Sequence, residues 1–203
     1  MTAIEPRKAP RQQRARATVD AILRATEQVL AADGYARAST NRIADVAGVS
    51  VGSLYQYFPN KDALVSAVAE EHTRAMRDLL VETAMRYREA PFADGVRYFV
   101  HGMIAAHTID PALHRALVQQ LLQLGFEELR SAQDEARTLV AAWLASRPEA
   151  DAPDPALTAF VLVATVESVI HAALFEDPEL LARPAFEDEL VRLVLRHLGM
   201  ATR

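Results

Sequence analysis

Hydrophobic residues recur along almost the whole chain at the three- and four-residue spacing of α-helices, and no segment alternates polar and apolar residues as a β-strand does. Val19, Ile22, Val29 and Leu30 form one stripe of a first helix, and we expect Gly34 to end it as a left-handed cap. The pattern predicts an all-α protein with a three-helix head, a long connecting helix and a helical body. The predicted helices are 12–33, 41–47, 51–58, 61–89, 92–108, 111–123, 126–146, 155–176 and 185–199.

Residues 40–58 contain two short predicted helices separated by a three-residue turn. Thr40 is expected to cap the first helix and Ser50 the second, since hydroxyl side chains can accept a bond from the helix N-terminus. At about 100° per residue, Leu54 points toward the core and Gly52 lies on the opposite face. This spacing matches a helix-turn-helix motif, and a small, polar and aromatic face can enter a DNA major groove.

The same turn also spells G-x-S-x-G over residues 48–52, which is the pattern of a serine-hydrolase nucleophile elbow. An elbow requires a strand before the serine, whereas here Ile43, Val46 and Ala47 share a helical face. We therefore favour helix-turn-helix and keep a serine esterase using Ser50 as the weaker alternative.

Composition narrows the class of protein. The chain has no cysteine, so disulfides, thiolate nucleophiles and cysteine-type zinc sites are excluded, in keeping with a cytoplasmic protein. Its longest apolar run, 159–166, is far shorter than the roughly 20 residues of a membrane span, so we predict no membrane partner. Residues 1–62 carry a net charge of +3 and the remainder −8, which is typical of a basic nucleic-acid-binding head on an acidic body.

Residues 39–68, STNRIADVAGVSVGSLYQYFPNKDALVSAV, closely resemble the DNA-binding head of the tetracycline-repressor (TetR) family. The resemblance implies a basic flexible tail at 1–11, a helix-turn-helix DNA-binding domain at 12–60 and a ligand-binding and dimerisation domain at 61–203. It implies a homodimeric repressor that a small apolar or amphipathic effector releases from a palindromic operator in double-stranded DNA. No enzymatic activity and no cofactor are expected.

The resemblance also assigns the DNA contacts. Thr40, Tyr55, Tyr57 and Lys61 match positions that meet backbone phosphates. Asn41, Val51, Gly52 and Tyr55 fall where family members approach base edges, and Gln56 can also reach, since Asn or Gln side chains can pair with adenine. Val51 and Tyr57 depart from the residues that are common in the family, so the operator sequence is not inferred. The arginines and lysine of the tail either add phosphate contacts or are simply solvated. The predicted DNA-binding set is Thr40, Asn41, Ser50, Val51, Gly52, Ser53, Tyr55, Gln56, Tyr57 and Lys61.

The last two helices are the most suited to dimerisation, because family members pair them across a two-fold axis into a four-helix bundle. Helix 155–176 is apolar on almost all sides, and the final helix is amphipathic. The predicted interface comprises Phe160, Val163, Val166, Glu167, Ile170, His171, Leu174, Leu190, Leu193, Val194 and His197.

Family members hold their effector among the middle helices. For most residues there a simple core role is the better interpretation, and Glu167 with His171 is either a pair of polar anchors or, as we favour, a bonded pair at the subunit interface. His101, His107 and His114 lack a compact ligand motif, so no metal site is predicted. The predicted pocket residues are Tyr98, His101, Met103, His107, Leu122, Phe126, Trp143, Glu167 and His171.

A second alternative is a helical small-molecule carrier whose head does not bind specific DNA. The basic tail and the complete set Thr40, Tyr55, Tyr57 and Lys61 argue against it. The identity of the effector does not follow from the sequence.

Overall fold

The computed structural model describes the backbone of residues 9–124 and 127–200, and the side chains of 14–119 and 133–200. Within these ranges the chain forms nine α-helices and one short 3-10 turn, and it contains no strand, which confirms the predicted all-α class. The helices are α1 Ala9–Arg37, α2 Thr40–Ala47, α3 Val51–Tyr57, α4 Lys61–Arg86, α5 Phe92–His107, α6 Pro111–Leu124, α7 Glu127–Ala145, α8 Pro155–Glu176 and α9 Pro184–His197; the 3-10 turn is Pro178–Ala182.

Two details of the predicted head need correction. The first helix is interrupted at Gly34, as predicted, with φ 71° and ψ 168°, but it resumes beyond this residue as far as Arg37. This positive φ favours glycine, but the extended ψ differs from a left-handed helical cap. The cap of α2 is Ser39, whose hydroxyl accepts a bond from the Arg42 amide at 3.2 Å, so Thr40 is the first helical residue.

The head has its own hydrophobic core, which α1, α2 and α3 share with the first turns of α4. Ile22, Ile43, Leu54 and Leu64 are each fully buried in it. Helix α6 also contributes, because Leu117 packs in the same cluster. The core therefore extends beyond residue 60, where the sequence placed the domain boundary, and that boundary stays a prediction.

A second core fills the body, where α5, α8 and α9 meet. Val96, Val166, Ile170 and Val194 are almost completely buried there. By length and composition alone α8 could cross a membrane, but it packs in this core, and a soluble core helix satisfies the same criterion. The body thus surrounds α8 on several sides, as expected from its apolar sequence.

Candidate nucleic-acid interface and adjoining cavities

The turn between α2 and α3 is set by Gly48. Its φ of 68° and ψ of 30° are left-handed, and its amide donates to the carbonyls of Ala44 and Asp45. Glycine adopts this conformation without the Cβ penalty that other residues meet. Ser50 then caps α3 as predicted, accepting a bond from the Ser53 amide at 3.1 Å. Together these two residues fix α3 at an angle to α2.

The outer face of α3 is open to solvent. Leu54 is fully buried beneath the helix, whereas Tyr55 and Tyr57 are 50% and 39% exposed. Gly52 and Gln56 are also exposed, so the helix presents a nearly flat N-terminal half followed by three longer side chains. We refer to Gly52, Tyr55, Gln56 and Tyr57 as the α3 face. A helix that reads a major groove needs a backbone that comes close to the DNA and side-chain donors long enough to reach the base edges.

Three other residues of the predicted DNA-binding set already have contacts inside the head. The hydroxyls of Ser50 and Ser53 lie 2.8 Å apart and hydrogen bond to each other. Val51 is half-buried against the head core, so only part of its side chain could meet a base. These three residues shape the motif, whereas Gly52, Gln56 and Tyr57 of the α3 face are exposed.

Three of the predicted phosphate contacts are likewise engaged within the chain. Thr40 Oγ1 and the Tyr55 hydroxyl are 3.0 Å apart and share a hydrogen bond that joins α2 to α3. Lys61 Nζ donates to the Tyr35 carbonyl at 3.0 Å and lies 3.8 Å from the centre of that ring. Lys61 must therefore exchange or share these contacts if it binds a phosphate. Asn41, at the start of α2, is exposed.

The basic residues before α1 are only partly described. Arg7 and Lys8 lie outside the described residues, as does the side chain of Arg11, and the DNA contacts predicted for them stay predictions. Arg14 and Arg16 are exposed on the first turns of α1.

Ser50 does not lie in a nucleophile elbow. It follows helix α2 and the Gly48 turn, where an elbow would have a strand, and its hydroxyl caps α3. The geometry needed to expose this hydroxyl above a sheet is therefore missing at this turn.

The body contains a cavity of about 390 Å³ between α4, α5 and α7, which we call the large cavity. Tyr98 and Trp143 from the predicted pocket line it. Tyr98 stacks on Tyr87 with ring centres 3.4 Å apart, and Trp143 stacks on Phe92 at 5.2 Å. A volume of this order with a mainly apolar and aromatic lining is typical of small-molecule sites.

Next to it lies a small cavity of about 60 Å³, lined by Met103, His107, Glu167 and His171 from the predicted pocket. Glu167 accepts a bond from Gln133 Nε2 at 2.8 Å, and His171 pairs with His114 across 3.1 Å between their Nε2 atoms. The two residues therefore have separate partners within the chain, which corrects their assignment to a bonded pair at the subunit interface.

The remaining predicted pocket residues either line neither of these cavities or lie outside the described residues. His101 lies on the surface, where Nδ1 is 3.1 Å from the Glu187 carboxylate, and it lines neither of these cavities. Its prediction as a pocket residue is wrong because that side of α5 faces α9 and solvent. Phe126 and the side chain of Leu122 lie outside the described residues.

Four histidines meet beside the small cavity, which the sequence did not indicate. His72 Nε2 lies 3.0 Å from His114 Nδ1, and the His107 and His171 rings contact each other edge to face. Burial lowers the pKa of His107 to about 4 and that of His114 to about 2. Burial also lowers the pKa of His72 and His171. Desolvation disfavours the charged imidazolium, so His107 and His114 are neutral at pH 7.

Most of the predicted dimer interface is buried inside the chain itself. A side chain with almost no exposed surface has none to lose to a partner, so six assignments are corrected from interface to core: Val163, Val166, Ile170, Leu174, Leu190 and Val194. Phe160, Leu193 and His197 do remain exposed. The exposed apolar residues of α8, which we call the α8 face, are Leu157, Phe160, Val161 and Phe175.

Two family models match the chain. The model described as "Bacterial regulatory proteins, tetR family" matches residues 22–68, and "Tetracyclin repressor-like, C-terminal domain" matches residues 91–198. The first covers the helix-turn-helix, and the second covers the α8 face and the walls of both cavities apart from those that α4 and the two residues after it supply. The second match alone spans more than half of the chain.

Individual curated proteins match only part of the chain, and at low sequence identity. The nucleoid occlusion factor SlmA of Actinobacillus pleuropneumoniae is 28% identical over 99 residues, which are 49% of this chain and 48% of that protein. A Lactococcus lactis HTH-type regulator is 33% identical over 79 residues, 39% of this chain and 40% of that one. The chain thus spans about half or less of the length of these curated relatives.

Among solved structures, SmeT, the repressor of the Stenotrophomonas maltophilia multidrug efflux pump SmeDEF, matches with a TM-score of 0.67 and 26% identity, covering 90% of each chain. The fatty acid degradation regulator FadR of Bacillus halodurans matches with a TM-score of 0.70 and 22% identity, covering 94% of this chain and 97% of that one. The latter likeness concerns the fold alone.

Proposed function

This chain belongs to the TetR family of bacterial regulatory proteins, and from that premise we propose that it is a homodimeric transcriptional repressor that binds a palindromic operator in the cytoplasm. The observation that carries the proposal is the exposed α3 face, which combines a glycine with two tyrosines and a glutamine on an otherwise poor helix. An ordinary solvent-facing helix would more often carry glutamate and lysine.

Dimerisation follows from the small size of this face. One seven-residue helix contacts few bases, whereas two heads related by a two-fold axis bind both halves of a palindrome together. The α8 face offers the surface for this contact, because Leu157 and Phe160 are 59% and 49% exposed on a helix whose opposite side packs in the body core. A large exposed apolar patch of this kind marks an interaction site.

We propose that the large cavity binds a small apolar or amphipathic effector. Its aromatic walls supply the apolar contact area, and the hydroxyls of Tyr87 and Tyr98 and the guanidinium of Arg88 supply polar groups that could orient a ligand. The effector would release DNA only if it binds better to a conformation in which the spacing of the heads does not fit the operator. The structural relative SmeT is a repressor, which supports repression as the function of this chain.

Selection from random duplex DNA tests the proposal directly. We expect the purified protein to enrich a palindrome at about 0.1–0.15 M salt, where purely electrostatic binding is weakened. Gln56→Ala should weaken binding to that palindrome, and Gln28→Ala provides a matched control, since Gln28 is exposed on α1 away from the α3 face. If a confirmed dimer enriches no sequence, the carrier alternative is favoured and the repressor proposal fails.

The effector site has a built-in probe. Trp143 is the only tryptophan in the chain and it lines the large cavity, so a ligand that enters there should change the intrinsic fluorescence. Compounds that release the operator but leave this fluorescence unchanged would contradict the assignment of the large cavity.

A further inference from the structure

Three histidines from three different helices converge at one point in the body. His107 belongs to α5, His114 to α6 and His171 to α8, and one ring nitrogen of each lies within 4.8 Å of the other two. His107 and His114 are each 3% exposed, and His171 is half-buried. We call these three residues the histidine triad.

Hydrogen bonds around the triad indicate which ring nitrogen of His107 and of His114 is available as a metal ligand. His107 Nδ1 donates to the Met103 carbonyl at 2.7 Å, which leaves the lone pair on Nε2. His114 Nδ1 can donate to His72 Nε2 at 3.0 Å, which again leaves Nε2 free. Metal-binding histidines almost always have such a partner on the second nitrogen, because it fixes the tautomer and the ring orientation.

We propose that His107, His114 and His171 bind a divalent transition-metal ion, with zinc as its representative, through their Nε2 atoms. Tetrahedral coordination at about 2.0–2.1 Å places ligand nitrogens about 3.3–3.4 Å apart. The His114 and His171 Nε2 atoms are already 3.1 Å apart. The His107 ring has to move closer to complete the set, since the ligand atoms of the three residues now lie within 4.8 Å of one another.

In the metal-free chain, a proton on one Nε2 atom of the His114–His171 pair forms the hydrogen bond between them. When the Nδ1 proton of His114 is directed at His72, that shared proton belongs to His171. On metal binding His171 adopts the Nδ1–H tautomer, so the ion replaces the proton between the two rings without a change in their net charge.

The surroundings suit an ion with one open coordination position. The small cavity, about 60 Å³ in volume, adjoins the triad and has room for a water or a ligand oxygen. Glu167 lines the same cavity one turn before His171, and Gln133 holds its carboxylate at 2.8 Å. That carboxylate compensates part of the charge of the ion. Three imidazoles favour zinc, nickel, cobalt or copper over magnesium and calcium, which prefer oxygen ligands.

The test is zinc titration of the full-length, untagged protein by calorimetry after treatment with a chelator, in the absence of DNA. We expect one ion per protomer, no comparable binding of magnesium, and a visible spectrum typical of tetrahedral coordination when cobalt is used. His171→Ala should weaken zinc binding by about 100-fold or more, since removal even of outer partners costs about 10–100-fold. His101→Ala is the matched control, because His101 is an exposed histidine of the same body outside the triad.

A second variant and a folding measurement guard against a merely unfolded protein. His107→Gln removes another ligand, and circular dichroism of each metal-free variant reports whether the helices remain. Zinc should raise the melting temperature of the wild type and of His101→Ala, and should leave that of the two triad variants unchanged. Zinc binding that is absent from the wild type, equal for magnesium, or unaltered in folded His171→Ala overturns the proposal. Because no DNA is present, this result is independent of the proposed repressor function.

Discussion

The substitution Gly52→Ala separates the stability of α3 from its use in DNA binding. Gly52 is exposed at the second position of the helix, and a Cβ built there meets nothing closer than Ser50 Oγ at 4.0 Å. The added methyl group therefore fits the free protein without a clash. It projects from the face that we propose to lie against the major groove.

The two expected effects have opposite signs. Alanine in place of a helical glycine stabilises by about 0.5 kcal/mol at this terminal position, which corresponds to an increase of about 1–2 °C in melting temperature. A methyl group that prevents close approach to DNA costs at least about 1 kcal/mol in each half-site, so a dimer should lose about 30-fold in affinity for its operator.

Thermal unfolding and operator titration at fixed salt measure the two effects on the same preparation. Gly48→Ala is the matched control: its Cβ also meets nothing within 4 Å, but its φ of +68° makes any side chain strained. We expect it to destabilise the chain by about 1 kcal/mol. If Gly52→Ala is more stable and binds the operator as tightly as the wild type, close approach at Gly52 is not required and the reasoning about the α3 face is refuted.

Three further predictions concern the body. The first concerns pH in the presence of a chelator. The pKa of His107 is about 6.5 in the unfolded chain and about 4 in the folded chain, so the unfolded state binds the proton first as the pH falls. Lowering the pH from 7 to 5 should therefore reduce the free energy of unfolding by about 2 kcal/mol through His107 alone. Urea unfolding of His107→Gln should lack this part of the pH dependence, and an unchanged slope would contradict it. A Cβ at Gly95 would lie 2.6 Å from Trp143 Cζ2, so Gly95→Ala should destabilise by about 1–3 kcal/mol and change the tryptophan fluorescence; unaltered melting would show that the ring moves freely. Leu157→Asp on the α8 face should yield monomers in light scattering at micromolar concentration, whereas Ile109→Asp, at an equally apolar and 47% exposed site, should remain dimeric; a dimeric Leu157→Asp protein would place the interface elsewhere.

Much of the head could be predicted because its signals are local. The Gly48 turn, the Ser50 cap and the three-residue spacing between short helices all act within a few residues of one another. Even here, the prediction placed the cap of α2 at Thr40 instead of its neighbour Ser39. Both side chains can cap a helix, and only the backbone conformation at Ser39 decides between them.

The body was harder to predict because helical periodicity shows which residues are apolar without showing what covers them. The sequence pattern at Val166 and Ile170 fits a core role and a dimer-interface role equally well. In the structure, neighbouring helices of the same chain bury both residues. Phe160, on the same helix, is exposed. The distinction depends on how helices pack around α8, which no local pattern contains.

The sequence by itself determined an all-α chain with a helix-turn-helix head, because helix period, capping and the left-handed turn depend on near neighbours along the chain. Only the tertiary structure decided that Lys61 lies on Tyr35, that His101 points away from the cavities, and that His107, His114 and His171 meet. Residues 57 positions apart, such as His114 and His171, come into contact only when α6 and α8 cross at that point, and the crossing is set by the packing of both cores.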